Sequence, residues 1–273
     1  MSGTSDNTPV AEVAVIGGSG FYQLLDDAER VEVETPYGRP SDAVAVGSVA
    51  GRRVAFLPRH GKDHAFPAHK INYRANLWAL RSLGVRQILA PCAVGSLRRE
   101  LGPGSVVVPD QLVDRTGGRI QTYYDENAVH VSFADPYCAD GRDTVLKAAA
   151  ARGAEAIDGG AMVVIDGPRF STRAESQWYA AQGWSLVNMT GHPEAVLARE
   201  LALCYTSVAL VTDLDAGIDA EESVAQEEVF KVFAQNIEHL RGIVLEAVKR
   251  LPEERRCRCS TALDGMQLPL ELP

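Results

Sequence analysis

Short apolar runs that end on glycine, proline or a polar turn alternate along this chain with longer stretches of helical spacing. VAVIGG (13–18) is the first such run and RRVAFLPRHG (52–61) repeats it; runs of this length between turn residues read as buried strands. NYRANLWALRSLG (72–84) then places Leu77, Leu80 and Leu83 at helical spacing and stops at Gly84. VRQILAPCAVGSL (85–97) is expected as a buried strand and GSVVVPDQLVD (104–114) as one more, after a Pro-Gly turn.

The stretch 116–136 is polar, with Gly117, Gly118 and a Tyr-Tyr pair, and reads as a long functional loop. Beyond it come a helix over 142–153, a strand over 161–167, and a helix over 172–183 opened by the capping-box pair Thr172 and Glu175. A short strand over 185–189 leads to a helix with Pro193 near its first turn. CYTSVALVTD (204–213) is the last long strand and 227–251 the last helix. Alternation without an internal repeat predicts one α/β domain over 1–273 with a parallel or mixed central sheet. The tail, 252–273, reads as irregular, and its Met266, Leu268, Leu270 and Leu272 predict that it docks on something.

The last strand poses a chemical question, because ALVTDLDAG (209–217) ends an apolar run on Asp213 and Asp215. Strand periodicity puts both acids on one face. A capped turn is one reading. The other is that two neighbouring carboxylates do not both ionise cheaply, so one keeps a proton and donates it to a ligand.

Composition narrows the partners. The 273 residues are 46% hydrophobic and 23% charged, enough for a large core. A net charge of -9 and a pI near 5.2 argue against a nucleic-acid or anionic-membrane surface. No apolar stretch approaches the roughly 20 residues of a membrane span, the N-terminus shows no signal-peptide pattern, and five scattered cysteines fit a reducing compartment, so a cytoplasmic protein is expected. Cys257 and Cys259 form a C-x-C without a second pair, which reads as solvated tail ahead of a redox or metal feature.

Several segments offer anion-binding groups. GGSG (17–20) fails the dinucleotide fingerprint because Gln23 replaces its third glycine, yet the turn and the Ser19 hydroxyl can cradle an anion. In PRHGKDHAFPAHK, His60, His64 and His69 lack metal-ligand spacing, whereas Arg59 at a strand end offers a fork of donors. Thr190 stands before the proline-opened helix as either an anion ligand or a simple cap. No nucleophile elbow surrounds Ser96, and Cys92 reads as a buried, inert thiol. Ser19, Arg59 and Thr190 share a position at strand ends, where open α/β sheets gather ligands.

Together these segments resemble the trimeric purine nucleoside phosphorylases, most closely the 5'-methylthioadenosine phosphorylases. The resemblance runs over about 13–251, through IGGSGFY, TPYGRPSDAVAVG, PRHGKDH, INYRANLWAL, VGSLRRELGPGSVVVPDQLVDRT, ADPYC, GPRFSTRAES, NMTGHPEAVLARE and TDLDAG. It implies a mixed, partly barrel-like sheet flanked by helices, a homotrimer with active sites near subunit contacts, and phosphorolysis of 5'-methylthioadenosine to adenine and the sugar 1-phosphate in purine and methionine salvage. No cofactor is implied, inorganic phosphate being a co-substrate, and no metal is expected. By the same likeness phosphate is held by Ser19, Arg59, His60, Cys92, Ala93 and Thr190. Met189 packs on ribose and Phe170 and Ser171 line the base. His130 and part of the tail belong to the segments a neighbouring subunit lends. Asp213 donates to purine N7, and Asp215 accepts from the 6-amino group.

Ser171 and Asp213 stand where relatives acting on 6-oxopurines carry glutamate and asparagine, which favours a 6-aminopurine. Three residues depart from the family pattern. Cys92 replaces a phosphate-binding threonine, His192 has no assigned role, and Gln226, near Val229 and Phe230, replaces the small apolar residue of the methylthio enzymes. The alternatives left open are a phosphorylase for adenosine, inosine or methylthioinosine, a hydrolytic nucleosidase, and a nucleoside-binding protein without turnover.

Overall fold

The computed structural model describes residues 9–18, 21, 24, 25, 27–218 and 224–273. In chain order its strands are β1 (Val13–Gly17), β2 (Glu29–Val31), β3 (Val44–Val49), β4 (Arg52–Pro58), β5 (Gln87–Ser96), β6 (Val106–Val108), β7 (Gln111–Arg115), β8 (Ala156–Asp158), β9 (Ala161–Ile165), β10 (Leu186–Asn188) and β11 (Cys204–Leu214). The helices are α1 (Tyr73–Ser82), α2 (Ala139–Ala151), α3 (Arg173–Ala181), α4 (Gly191–Glu200) and α5 (Gln226–Arg250).

All strands join one mixed sheet. The ordered path runs β2-β3-β4-β1-β5-β10-β9-β7, and β11, β6 and β8 branch from β5. Branching is possible because β5 is long. One edge pairs in parallel with β1 over Gln87–Leu89 and antiparallel with β10 at Gly95 and Ser96, while the other follows β11 nearly end to end. Between Leu89 and Gly95 the first edge therefore has no strand beside it among the described residues. Buried carbonyls in that gap still need donors, and side chains supply them. Arg59 donates to the Pro91 carbonyl at 3.3 Å and Asn188 to the Ala93 carbonyl at 3.1 Å.

The period-two pattern divides the core across the sheet. On β1, Ala14 and Ile16 pack with Leu77 and Leu80 of α1 and Leu197 of α4, whereas Val13 and Val15 pack with Val145 of α2 and Val244 of α5. Helices thus cover both faces, as the alternation predicts.

Some boundaries differ from expectation. The 104–114 segment is two strands, because Pro109 interrupts it: β6 pairs with β11 and β8, and β7 pairs with β9. Strands β2 and β8 escape notice because each has three residues and neither is fully buried. The 116–136 stretch forms no helix or strand, yet Tyr123 and Tyr124 are buried and both bond Glu200, Tyr123 through its amide and Tyr124 through its hydroxyl. The tail docks on its own chain, with Leu263, Leu268, Leu270 and Leu272 against the α1–α4 side of the core. Cys257 and Cys259 are not a solvated pair. Cys259 is buried, Cys257 is half-buried, and both lie beside Cys138 and Cys204. Their partners sit more than 50 residues upstream, so the tail sequence alone gives no second pair. Among the described residues no helix is long and apolar enough to cross a membrane.

Candidate active site

A cleft of about 340 Å³ opens where the sheet divides. Gly18 after β1, Arg59 after β4, Cys92 to Gly95 of β5, Ile165 of β9, Asn188 of β10 and Asp213 of β11 all reach it. The gap in β5 pairing creates the opening, and strand ends from several directions converge on it, as at other α/β ligand sites.

The carboxylates stand at one end. Register shifts between Val211 and Asp213, so a bulge re-aims the strand end just before the acids. Asp213 pairs with Gly95, and the Asp215 amide donates to the Ser96 carbonyl at 2.9 Å. Gly95 leaves the acids their space. A Cβ there would lie 3.0 Å from Asp213 Oδ1 and 3.3 Å from Asp215 Cβ.

Burial pushes the Asp213 carboxyl up to about 6; the Thr212 hydroxyl, donating to Oδ2 at 2.8 Å, works against the rise, and the Asp215 charge adds to it. Desolvation, rather than the like-charge repulsion inferred from the sequence, is thus the chief cause. Asp215 is raised as well, by burial, although the nearby Ser171 and Ser176 hydroxyls and the Ala216 amide favour its charged form. Asp215 Oδ2 and the hydroxyl oxygens of Ser171 and Ser176 nevertheless close no hydrogen bond among the described residues.

Arg59 enters the cleft farther back along β5, at Pro91 rather than at Gly95. Arg59 is buried and gripped by a residue the sequence reading missed. Glu194 takes Nε at 2.6 Å and Nη2 at 2.7 Å, and the Tyr205 hydroxyl donates to Glu194 at 2.7 Å. Burial opposes the guanidinium charge, but the attraction and hydrogen bonds of Glu194 outweigh it and raise the pKa. With Nη2 also near the Ile16 carbonyl and Nη1 near that of Pro91, a single Nη1 hydrogen is left for a ligand. The free fork expected at Arg59 is therefore mostly spent inside the protein.

His60 Nδ1 lies 2.8 Å from the Phe66 carbonyl. A carbonyl only accepts, so Nδ1 carries the hydrogen and Nε2 of the neutral ring is an acceptor. Burial, with the neighbouring His64, lowers the His60 pKa to about 3, so the ring stays neutral near pH 7. His64 stacks on it at 4.0 Å and meets Phe230 edge-on at 6.1 Å.

Thr190 lies at the N-cap of α4 without capping it. Asn188 Oδ1 accepts from the Thr190 and Gly191 amides, both at 2.7 Å. Those amides are thereby unavailable to an anion, and the hydroxyl is what Thr190 offers. The expected regular start at Pro193 is also modified: His192 leaves helical geometry, and the His192–Pro193 bond is cis.

Phe170, Ser171, Met189, Gln226 and Val229 line the walls between the two ends, with Cys92 and Ala93 on the β5 side. Burial raises the Cys92 thiol, which sits 3.5 Å from the Ser207 hydroxyl. Met189 is fixed by Arg119, whose Nη1 donates to its carbonyl at 2.9 Å, and by Gly167, where φ is +65° and a Cβ would fall 2.5 Å from the methionine sulfur. The capping box at Thr172 and Glu175 is present, and it sets α3 directly after Phe170 and Ser171. Ser19 lies outside the described residues. His130 is not in this cleft; it lines a separate surface depression with Met266 and Gln267 of the tail.

Besides Glu194, Asn188 and Arg119, the sequence reading missed Gly95, Pro67 and Thr212. Glu194 and Arg119 act on residues brought close only by the fold, whereas Thr212 and Asn188 act on their own neighbours, Asp213 and Thr190. His192, left without a role, is buried with Nε2 3.3 Å from Asp114, and its carbonyl accepts from Arg119 at 2.5 Å.

The family model described as "Phosphorylase superfamily" matches residues 12–249. The chain belongs to this superfamily. Within it, the chain is 61% identical to a "Purine nucleoside phosphorylase" of Streptomyces coelicolor, over 98% of this chain and 99% of that one. It is 59% identical to an "S-methyl-5'-thioadenosine phosphorylase" of Mycolicibacterium smegmatis, over 96% and 99%. Among solved structures, the methylthioadenosine phosphorylase of Schistosoma mansoni in complex with adenine superposes with a TM-score of 0.86 at 39% identity, covering 90% of this chain and 93% of that one. The mixed α/β fold expected from the sequence is thus the superfamily's own.

Proposed function

We propose that the protein catalyses phosphorolysis of S-methyl-5'-thioadenosine, releasing adenine and 5-methylthioribose 1-phosphate. The observation that carries this is Asp213, a carboxyl with a pKa near 6 placed across one cleft from the Arg59 end. Cleavage of the N-glycosidic bond builds negative charge on the purine and positive charge on the sugar. A protonated Asp213 donates to purine N7 as the bond breaks, and phosphate stabilises the sugar cation before its oxygen bonds to C1'.

The other residues take roles from what they have to offer. Asp215 Oδ2, buried with no partner among the described residues, accepts from the 6-amino group, which a 6-oxo group cannot satisfy. Phe170 and Ser171 flank the base, and Met189 covers the ribose. The Arg59 Nη1 hydrogen and the Thr190 hydroxyl donate to phosphate, with Cys92 and Ala93 beside it. His60 Nε2 accepts from the hydroxyl of hydrogen phosphate, which suits its neutral state. No cofactor enters these steps.

A homotrimer, with His130 and the tail serving a neighbour's cleft, and a cytoplasmic setting complete the proposal. His130 lies outside its own cleft beside Met266 and Gln267, which favours that arrangement. One observation favours a second substrate. Gln226 lines the cleft beside Val229 and Phe230, and its amide can bond a 5'-hydroxyl. The test is a panel of methylthioadenosine, adenosine, methylthioinosine and inosine with and without phosphate. Phosphate-dependent turnover of the 6-amino substrates is expected; preference for inosine, or equal turnover without phosphate, contradicts it.

A further inference from the structure

Away from the cleft, Cys138, Cys204, Cys257 and Cys259 bring their four sulfurs within 4.8 Å of one another, those of Cys204 and Cys257 standing 3.3 Å apart. None of the four residues lines the active-site cleft. A disulfide needs sulfurs about 2.05 Å apart. Four thiolates around a tetrahedral zinc ion at about 2.3 Å stand about 3.8 Å from each other. The observed spacing brackets the second value and exceeds the first.

The fold delivers these sulfurs from three places. Cys138 is the N-cap of α2, and its amide donates to the Tyr205 carbonyl at 2.8 Å, which ties it to the start of β11. Cys204 is the first residue of β11. Cys257 and Cys259 flank the entry to a short 3-10 turn (Arg258–Thr261), in which the Ser260 amide and hydroxyl both bond the Cys257 carbonyl.

The surroundings suit negative charge. Arg199 Nη2 lies 3.9 Å from the Cys259 sulfur and Arg255 Nη1 4.0 Å from that of Cys204. Both guanidiniums are anchored on carbonyls, Arg199 on Ser132 and Asp135 and Arg255 on Ala202. The positive N-terminus of α2 adds to the field at Cys138. Four thiolates and a divalent ion carry a net charge of about -2, which two guanidiniums balance. Three of the four cysteines are buried, so water has little access.

We infer that Cys138, Cys204, Cys257 and Cys259 form a structural tetrathiolate site for a soft divalent ion such as zinc. All four positions are filled by protein, so the site holds structure rather than performing chemistry. Each thiol releases its proton as its sulfur bonds the ion, and no redox change is involved. The ion clamps the C-terminal tail to α2 and β11. The proposal departs from the expectation of no metal.

Metal analysis of the full chain, expressed with zinc and purified without chelator, tests the inference. About one zinc per chain is expected, and cobalt exchange should give the intense thiolate charge-transfer bands of a tetrahedral sulfur site. The Cys257→Ser/Cys259→Ser double variant should lose the ion. Protein containing no metal and four titratable thiols beside Cys92 would overturn the inference. So would a mass lower by four hydrogens under non-reducing conditions, which would mean two disulfides. If the variant does not fold, the wild-type metal content, thiol count and mass decide the matter on their own.

Discussion

Arg59 and Glu194 meet edge to edge, Nε to Oε2 at 2.6 Å and Nη2 to Oε1 at 2.7 Å, with side chains 1% and 0% exposed. A buried cation so held cannot swing, which fixes its one remaining Nη1 hydrogen in the cleft. Removing one partner strands the other without water. Glu194→Ala is expected to lower stability by about 3–5 kcal/mol and Tyr205→Phe by about 1.5–3 kcal/mol, read as shifts of the urea midpoint. Unchanged midpoints would show that the pair contributes nothing to holding Arg59.

Asp213 gives the pH dependence. Its proton is the one donated, so kcat/KM should be flat below about pH 6 and fall tenfold per unit above it. Stability follows the same proton. The folded pKa, near 6, lies above the unfolded value of about 3.9, so the group's contribution is fully present below the unfolded value and is lost as pH rises through the folded one. Asp213→Asn should therefore raise stability at pH 8 by about 1–3 kcal/mol, measured by thermal or urea denaturation. A variant less stable than the parent at pH 8 contradicts this.

Gly95 keeps space for the acids. Gly95→Ala puts a methyl 3.0 Å from Asp213 Oδ1, and kcat/KM for methylthioadenosine should drop by about tenfold or more, since small misplacements at a reacting group are costly. Far-ultraviolet circular dichroism should show the fold retained. Full activity would mean that the carboxylates relax freely.

Gln226 tests the 5' group. If its amide bonds a 5'-hydroxyl, Gln226→Leu removes a hydrogen bond of about 0.5–1.5 kcal/mol. The ratio of kcat/KM for methylthioadenosine over adenosine should then rise by about two- to tenfold. An unchanged ratio would remove Gln226 from 5' recognition.

Much of this was legible in the chain because it is local. The apolar runs located β1, β4, β5, β9 and β11, and the Thr172–Glu175 spacing gave the capping box. Twelve candidate residues from six segments, Arg59 and Asp213 among them, do line one cleft. What the sequence hid depends on contact between distant segments. Glu194 lies 135 residues from Arg59, and nothing around it announces a buried acid. Asn188 is the local exception: standing just before α4, its Oδ1 takes the Thr190 and Gly191 amides and so performs the capping that Thr190 offers by sequence. Cys257 and Cys259 read as a lone pair until the fold sets them against Cys138 and Cys204.

The central claim is that Asp213 supplies the proton with which adenine leaves. It is tested most directly by kcat/KM of Asp213→Asn on methylthioadenosine with saturating phosphate at pH 6. The account predicts a fall of about 10²–10⁴-fold in a protein that remains folded. Activity equal to that of the parent would contradict it.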